Sequence, residues 1–215
     1  MILTIGGIKG GSGKTTLAIN IAVARALKKQ SVLLIDADEQ KSASMWSEKR
    51  DALKLDTPIT VVHLTGSSLL SQVKKLAPNY DNVVIDVGGR NSSSLRASLL
   101  VSDIFLTPFR PRSLDIWTVE KLEELLEEAI SMNPSLKAYS ILNQADVRGS
   151  DNKDANTILK ESNLITPLSC VISHRKVFAN AASEGKGILE FKPADKKAEK
   201  ELSKIILKLY QKHIE

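Results

Sequence analysis

The fold predicted for this 215-residue chain is α/β, a three-layer sandwich with a mostly parallel central sheet flanked by helices. Three observations predict it. Short apolar, β-branched runs recur along the whole chain. Helix-like segments separate them. The first run leads into a glycine-rich turn and then an amphipathic helix. Runs that are apolar at nearly every position fit strands buried on both faces of a parallel sheet. Crossover helices cover such a sheet, and ligands bind at the carboxyl ends of its strands.

The expected strands are residues 2–5, 32–35, 59–62, 83–85, 104–106, 138–142 and 168–172. After the first strand, Leu17, Ile21, Ala24 and Leu27 recur at helical spacing. The clearest helix is Val119–Met132. Its Leu122, Leu125, Leu126, Ala129 and Ile130 form one stripe, and five glutamates lie mostly opposite. Residues 143–153 are polar and read as a surface loop. No repeat, low-complexity tract or linker interrupts the pattern, so residues 1–215 are expected to form one domain.

Bulk composition removes several classes of function. No apolar run approaches the ~20 residues of a membrane span, and the early first strand leaves no room for a signal peptide. A lone cysteine, Cys170, excludes an internal disulfide framework and a cysteine-held cluster carried by one chain. The cytoplasm is the expected compartment. The net charge of +5 is uneven: residues 1–50 carry 8 basic and 4 acidic groups, 51–170 carry 12 and 15, and 171–215 carry 10 and 6. Part of the first excess belongs to the glycine-rich turn. The C-terminal excess hints independently at a polyanion partner.

The turn itself reads IGGIKGGSGKTT over residues 5–16. A phosphate-binding pattern G-x-x-x-x-G-K-T must end at Gly13-Lys14-Thr15. Its first glycine position therefore falls on Ile8, and a second lysine, Lys9, stands inside the loop. Gly10, Gly11 and Gly13 let backbone N–H groups around Ser12 converge on phosphate oxygens, and the following helix N-terminus adds positive potential. Lys14 is expected to neutralise β- and γ-phosphates, Thr15 to ligate Mg²⁺, and Thr16 to touch the α-phosphate.

The order KGGSGKTT resembles the deviant Walker A motif of the ParA/MinD family of ATPases. That resemblance implies ATP and Mg²⁺ as cofactors. It also implies that Lys9 reaches across a homodimer to the nucleotide of the partner, so that ATP glues two subunits together. The alternative is a solvated loop lysine. Further motifs carry the same resemblance. In LLIDADEQKSASMW, residues 33–46, Asp36, Asp38, Gln40, Ser42 and Trp46 match the family pattern, while Glu39 replaces its proline. By family analogy Asp38 orders the attacking water and Asp36 lies on the metal side; the alternative is that both cap the next helix. In NVVIDVGGR, residues 82–90, Asp86 occupies the Walker B position and would hold Mg²⁺ through water.

Residues 101–117 resemble the family's next strand and proline-bearing loop through Ser102, Asp103, Pro108, Pro111, Ser113 and Asp115. Arg110 and Arg112 there serve either an interface or solvent. In relatives an asparagine at the position of Asn143 reads the adenine edge; a turn asparagine without a ligand is the other reading. Arg175 and Lys176 lie in a late segment that faces DNA or a partner in the family, whereas His174 reads as a structural loop residue.

Among the branches of the family, small ParA partition ATPases match best. The early first strand argues against an N-terminal helix-turn-helix domain, and Cys170 alone argues against an iron–sulfur carrier. Lys196, Lys200, Lys204, Lys208 and Lys212 recur every four residues opposite Leu202, Ile205, Ile206 and Leu209. They form a solvated face, a DNA-phosphate contact or a membrane-surface helix. The expected protein is thus a nucleoid-associated ParA-type ATPase. It would dimerise on ATP, bind DNA without sequence preference, and be reset when a cargo adaptor stimulates hydrolysis. A MinD-like membrane-associated regulator and a metabolic P-loop enzyme are the competing classes.

Overall fold

The structure, a computed structural model, describes residues 1–89, 91–111, 118–146 and 151–211. Its centre is a seven-stranded sheet of β1 (Ile2–Ile5), β2 (Val32–Ala37), β3 (Thr60–His63), β4 (Asn82–Val87), β5 (Ile104–Phe109), β6 (Lys137–Ala145) and β7 (Ile165–Ser173). Every pairing is parallel, in the order β3-β2-β4-β1-β5-β6-β7. Eight α-helices lie among the described residues: α1 (Lys14–Ala26), α2 (Ser42–Asp51), α3 (Ser68–Leu76), α4 (Ser93–Leu99), α5 (Val119–Met132), α6 (Asp151–Glu161), α7 (Lys176–Ser183) and α8 (Lys196–Gln211).

Alternation along the strands divides the core between two faces. Leu34 and Val84 point into a cluster with Leu17 and Ile21 of α1, Trp46 of α2, Phe178 of α7 and Leu202 of α8. Their neighbours Leu33, Ile35, Val83 and Ile85 point the other way, toward Leu69, Leu95, Leu122 and Leu159 of α3 to α6. The central strands therefore have no solvent face, which is why their sequences are apolar throughout.

All seven expected strands and the expected helix Val119–Met132 are present. The polar stretch 143–153 is different. Asn143–Ala145 continues β6, and α6 begins at Asp151, while residues 147–150 lie outside the described part. The C-terminal lysines also divide. Lys196, Lys200 and Lys204 are exposed, but Lys208 donates from Nζ to the carbonyl of Leu168 at 2.6 Å. That carbonyl lies on the edge strand β7, so Lys208 blunts a sheet edge. Lys212 lies outside the described residues.

Because all the strands are parallel and β1 is central, the carboxyl ends of β1, β2, β4, β5 and β6 share one end of the sheet. No helix among the described residues is long and apolar enough to cross a membrane.

Candidate nucleotide site

Gly6 to Gly13 connect β1 to α1 as a phosphate-binding loop. Gly11 (φ 77°) and Gly13 (φ 85°) take left-handed backbone conformations, and Gly13 is the cap residue of α1. A Cβ on Gly13 would lie 2.3 Å from Nδ2 of Asn143, so both the backbone and the packing require glycine there. Lys14 is buried, with 6% exposure, and its Nζ donates to the carbonyl of Lys9 at 2.7 Å. The ammonium thus lies folded over the loop that it is expected to serve. The Lys9 side chain is half-buried, and Thr15 and Thr16 are half-buried in the first turn of α1.

Three more carbonyl contacts fasten the loop from outside. Asn143 Nδ2 donates to Ser12 O at 2.7 Å, Gln144 Nε2 donates to Gly11 O at 3.2 Å, and Arg110 donates to the same Gly11 carbonyl. From the β4 side, Gly89 packs so closely that a Cβ would lie 2.5 Å from the amide nitrogen of Gly10. At Gly88, a Cβ would meet the Asp38 carboxylate at 2.9 Å. The Gly88-Gly89 pair is thus the space through which Asp38 and the loop approach β4. Arg112, Ser113 and Asp115 lie outside the described residues, as does Arg90.

The carboxylates occupy different environments. Asp36 and Asp86 are register partners on adjacent strands. Asp36 is fully buried, and its Oδ2 accepts from the amide and hydroxyl of Ser44 at 2.7 and 2.8 Å. It therefore caps the first turn of α2, the alternative weighed above, while remaining beside Asp86. Asp38 is half-exposed and its Oδ1 accepts from the Gln40 amide at 3.0 Å. Glu39, where the family has proline, is exposed.

Asp86 is buried at 1% exposure, and neither carboxylate oxygen has a hydrogen-bond partner of good geometry. Burial pushes its pKa up to about 7, against the pull of the Thr15 hydroxyl and Lys14; the neighbouring Asp36 and Asp38 charges add to the rise. A stranded carboxylate next to a threonine hydroxyl suits a hard divalent cation. Mg²⁺ needs only one or two protein oxygens when phosphates and water complete its shell. Among the described residues, no group of three His, Cys, Asp or Glu side chains forms a ready-made metal cage. Thr15 and Asp86 would hold the ion, with Asp36 behind them.

Beside Thr16, a cavity of about 150 Å³ is lined by Asn20, Asn143, His174, Arg175 and Phe178 among others. Arg175 lines it while held by Glu201 at 3.1 Å and Asp195 at 3.8 Å, so its charge is already matched. His174 donates its amide to Ala145 O at 3.0 Å.

Sequence reasoning missed a second polar cluster that braces α2. Arg50 donates to both oxygens of Glu190 at 2.8 Å, to the Thr57 hydroxyl at 2.7 Å and to Gly185 O at 3.2 Å. Asn20 completes the brace, accepting the Ile188 amide at 2.7 Å and donating to Thr16 O at 2.7 Å. The glycines at 185 and 187 were the available signal, since a Cβ on Gly185 would lie 2.6 Å from the Arg50 amide.

Residues 3–188 match the CbiA family, described as the CobQ/CobB/MinD/ParA nucleotide binding domain. The chain is 28% identical over 205 residues to a "Maintenance of carboxysome distribution protein A" from Halothiobacillus neapolitanus, covering 95% of this chain and 94% of that one. It is 34% identical over 188 residues to the protein of the same name from Gloeobacter kilaueensis, covering 86% and 82%. A solved plasmid partition protein from Borrelia burgdorferi superposes with a TM-score of 0.70 at 22% identity over 98% of both chains. The phosphate loop, the strand-end carboxylates and this match over most of the chain place it in one group: it belongs to the CobQ/CobB/MinD/ParA nucleotide-binding family.

Proposed function

We propose that this chain is a ParA-type ATPase that positions a large cargo, residues 1–215 acting as one ATPase domain. The observation that carries the reading is a glycine cradle with Lys14 folded over it, set against the stranded carboxylate of Asp86. Relatives named for maintaining carboxysome distribution support cargo positioning as the task.

ATP is the substrate. Loop N–H groups and Lys14 would bind its phosphates, and the 150 Å³ cavity beside Thr16 would take the base end. Mg²⁺, when bound, would neutralise charge between the β- and γ-phosphates. Asp38, half-exposed over Gly88, would accept a proton from the attacking water. Lys9 would reach the phosphates of a second subunit, so that triphosphate binding and homodimerisation become one event. The exposed Lys196, Lys197, Lys200 and Lys204 of α8 are positioned to meet DNA phosphates without reading sequence. Two such surfaces in a dimer gain avidity. A cargo adaptor would then accelerate hydrolysis and release the dimer from the nucleoid.

Co-sedimentation with DNA in the presence of ATP, ADP or no nucleotide tests this function. Sequence-independent binding with ATP alone is the expected result. Equal binding in all three states would remove the switch, and liposome binding without DNA binding would move the protein to a membrane role.

A further inference from the structure

We infer that Asn143 and Gln144 are positioning residues for the phosphate loop, presented together by a bulge at the end of β6. Adjacent side chains of a regular strand point to opposite faces. Here they do not. Gln144 takes a left-handed backbone conformation (φ 54°), and the β6–β7 register shifts between Asn143 and Ala145. A bulge of this kind re-aims side chains, and a residue bearing a Cβ is strained in that conformation. As a result both amides reach the same loop, Asn143 at Ser12 O and Gln144 at Gly11 O.

The consequence follows from peptide geometry. In a trans peptide the carbonyl and the next N–H point in opposite directions. Holding the carbonyls of Gly11 and Ser12 from the β6 side therefore turns the Ser12 and Gly13 N–H groups away from β6, toward the mouth of the loop. A carbonyl that accepts a hydrogen bond also polarises its own N–H into a better donor. Arg110 adds a further donor on Gly11 O, and Lys14 holds Lys9 O in the same manner. The left-handed glycine at position 13 completes the fit, because any side chain there would displace the Asn143 amide. Asn143 and Gln144 thus pre-set an anion nest, a role that concerns phosphates and is indifferent to the base.

This inference rests on the nucleotide-binding reading above, and the test separates the two. Isothermal titration would measure Mg-ATP, Mg-GTP and inorganic triphosphate binding to the wild type, Asn143→Ala and Gln144→Gly. Each variant is expected to lose about five- to ten-fold in affinity for all three ligands, the effect of about one net hydrogen bond. The ATP-to-GTP ratio should stay at its wild-type value. Gln144→Gly should melt no lower than the wild type, since glycine adopts that backbone without strain. This second variant carries the test should Asn143→Ala fold poorly. Loss of ATP affinity in Asn143→Ala with unchanged triphosphate binding would make Asn143 a base reader and overturn the inference, as would wild-type triphosphate binding by both variants. A wild type that binds none of the three ligands would overturn the nucleotide reading and this inference with it.

Discussion

Asp86 and Glu190 are two sequestered carboxylates with opposite surroundings. Glu190 accepts two hydrogen bonds from Arg50, one from the Thr57 hydroxyl and one from the Gly187 amide. Burial works to raise its pKa, but the Arg50 hydrogen bond, the Gly187 amide and the Thr57 hydroxyl together hold it below the usual carboxylate value. Asp86 is buried more completely, with no partner of good geometry for either oxygen, and is pushed up to about 7. A buried charge with all its partners is a structural brace. One without them carries an uncompensated burial cost, which fits the proposal that Asp86 meets a cation together with nucleotide.

That contrast can be broken from either side. The largest expected effect is at the brace: Glu190→Ala strands Arg50 and should lower unfolding stability by about 3 kcal/mol, measured by chemical denaturation. Gly89→Ala comes next. Its Cβ would press on the Gly10 backbone, which cannot rotate away as a side chain would. ATP affinity should fall by about 1–2 kcal/mol at nearly unchanged secondary structure, by titration calorimetry. Asp86→Asn should act in the opposite sense to Glu190→Ala. Replacing a carboxylate whose ionised form burial disfavours is expected to stabilise the nucleotide-free protein by about 1 kcal/mol while abolishing the Mg²⁺ dependence of nucleotide binding.

The smallest effect is in pH. Glu190 has a depressed folded-state pKa, so its stabilisation is fully present above its ordinary 4.5 and is lost as pH falls through the lower folded value. Denaturation midpoints measured from pH 6 to pH 3 should therefore fall less steeply in Glu190→Gln than in the wild type.

The sheet was legible because both of its faces are covered, which leaves apolar runs with no competing signal. The loop from Lys9 to Thr16 was legible because phosphate chemistry demands glycines and a lysine at fixed spacing. Strand 143–145 was not, because Asn143 and Gln144 look like loop residues until the carbonyls of Gly11 and Ser12, more than 130 positions away, supply their partners. Arg50 and Glu190 were illegible for the same reason, being 140 positions apart. The helix-capping role of Asp36 needed Ser44 to fold back over the end of β2. The four-residue repeat of the C-terminal lysines suggested one shared face, but Lys208 is committed to the edge of β7. Local chemistry with a fixed spacing can be read in the sequence; polar pairs closed by tertiary structure cannot.

The coupling of nucleotide binding to pairing through Lys9 is the central claim. Sedimentation velocity of the wild type and Lys9→Ala, each with Mg²⁺ and a non-hydrolysable ATP analogue, tests it most directly. The account predicts a wild-type dimer and a nucleotide-loaded Lys9→Ala monomer. A wild-type protein that stays monomeric when saturated with the analogue, or a Lys9→Ala variant that dimerises as well as the wild type, would contradict it.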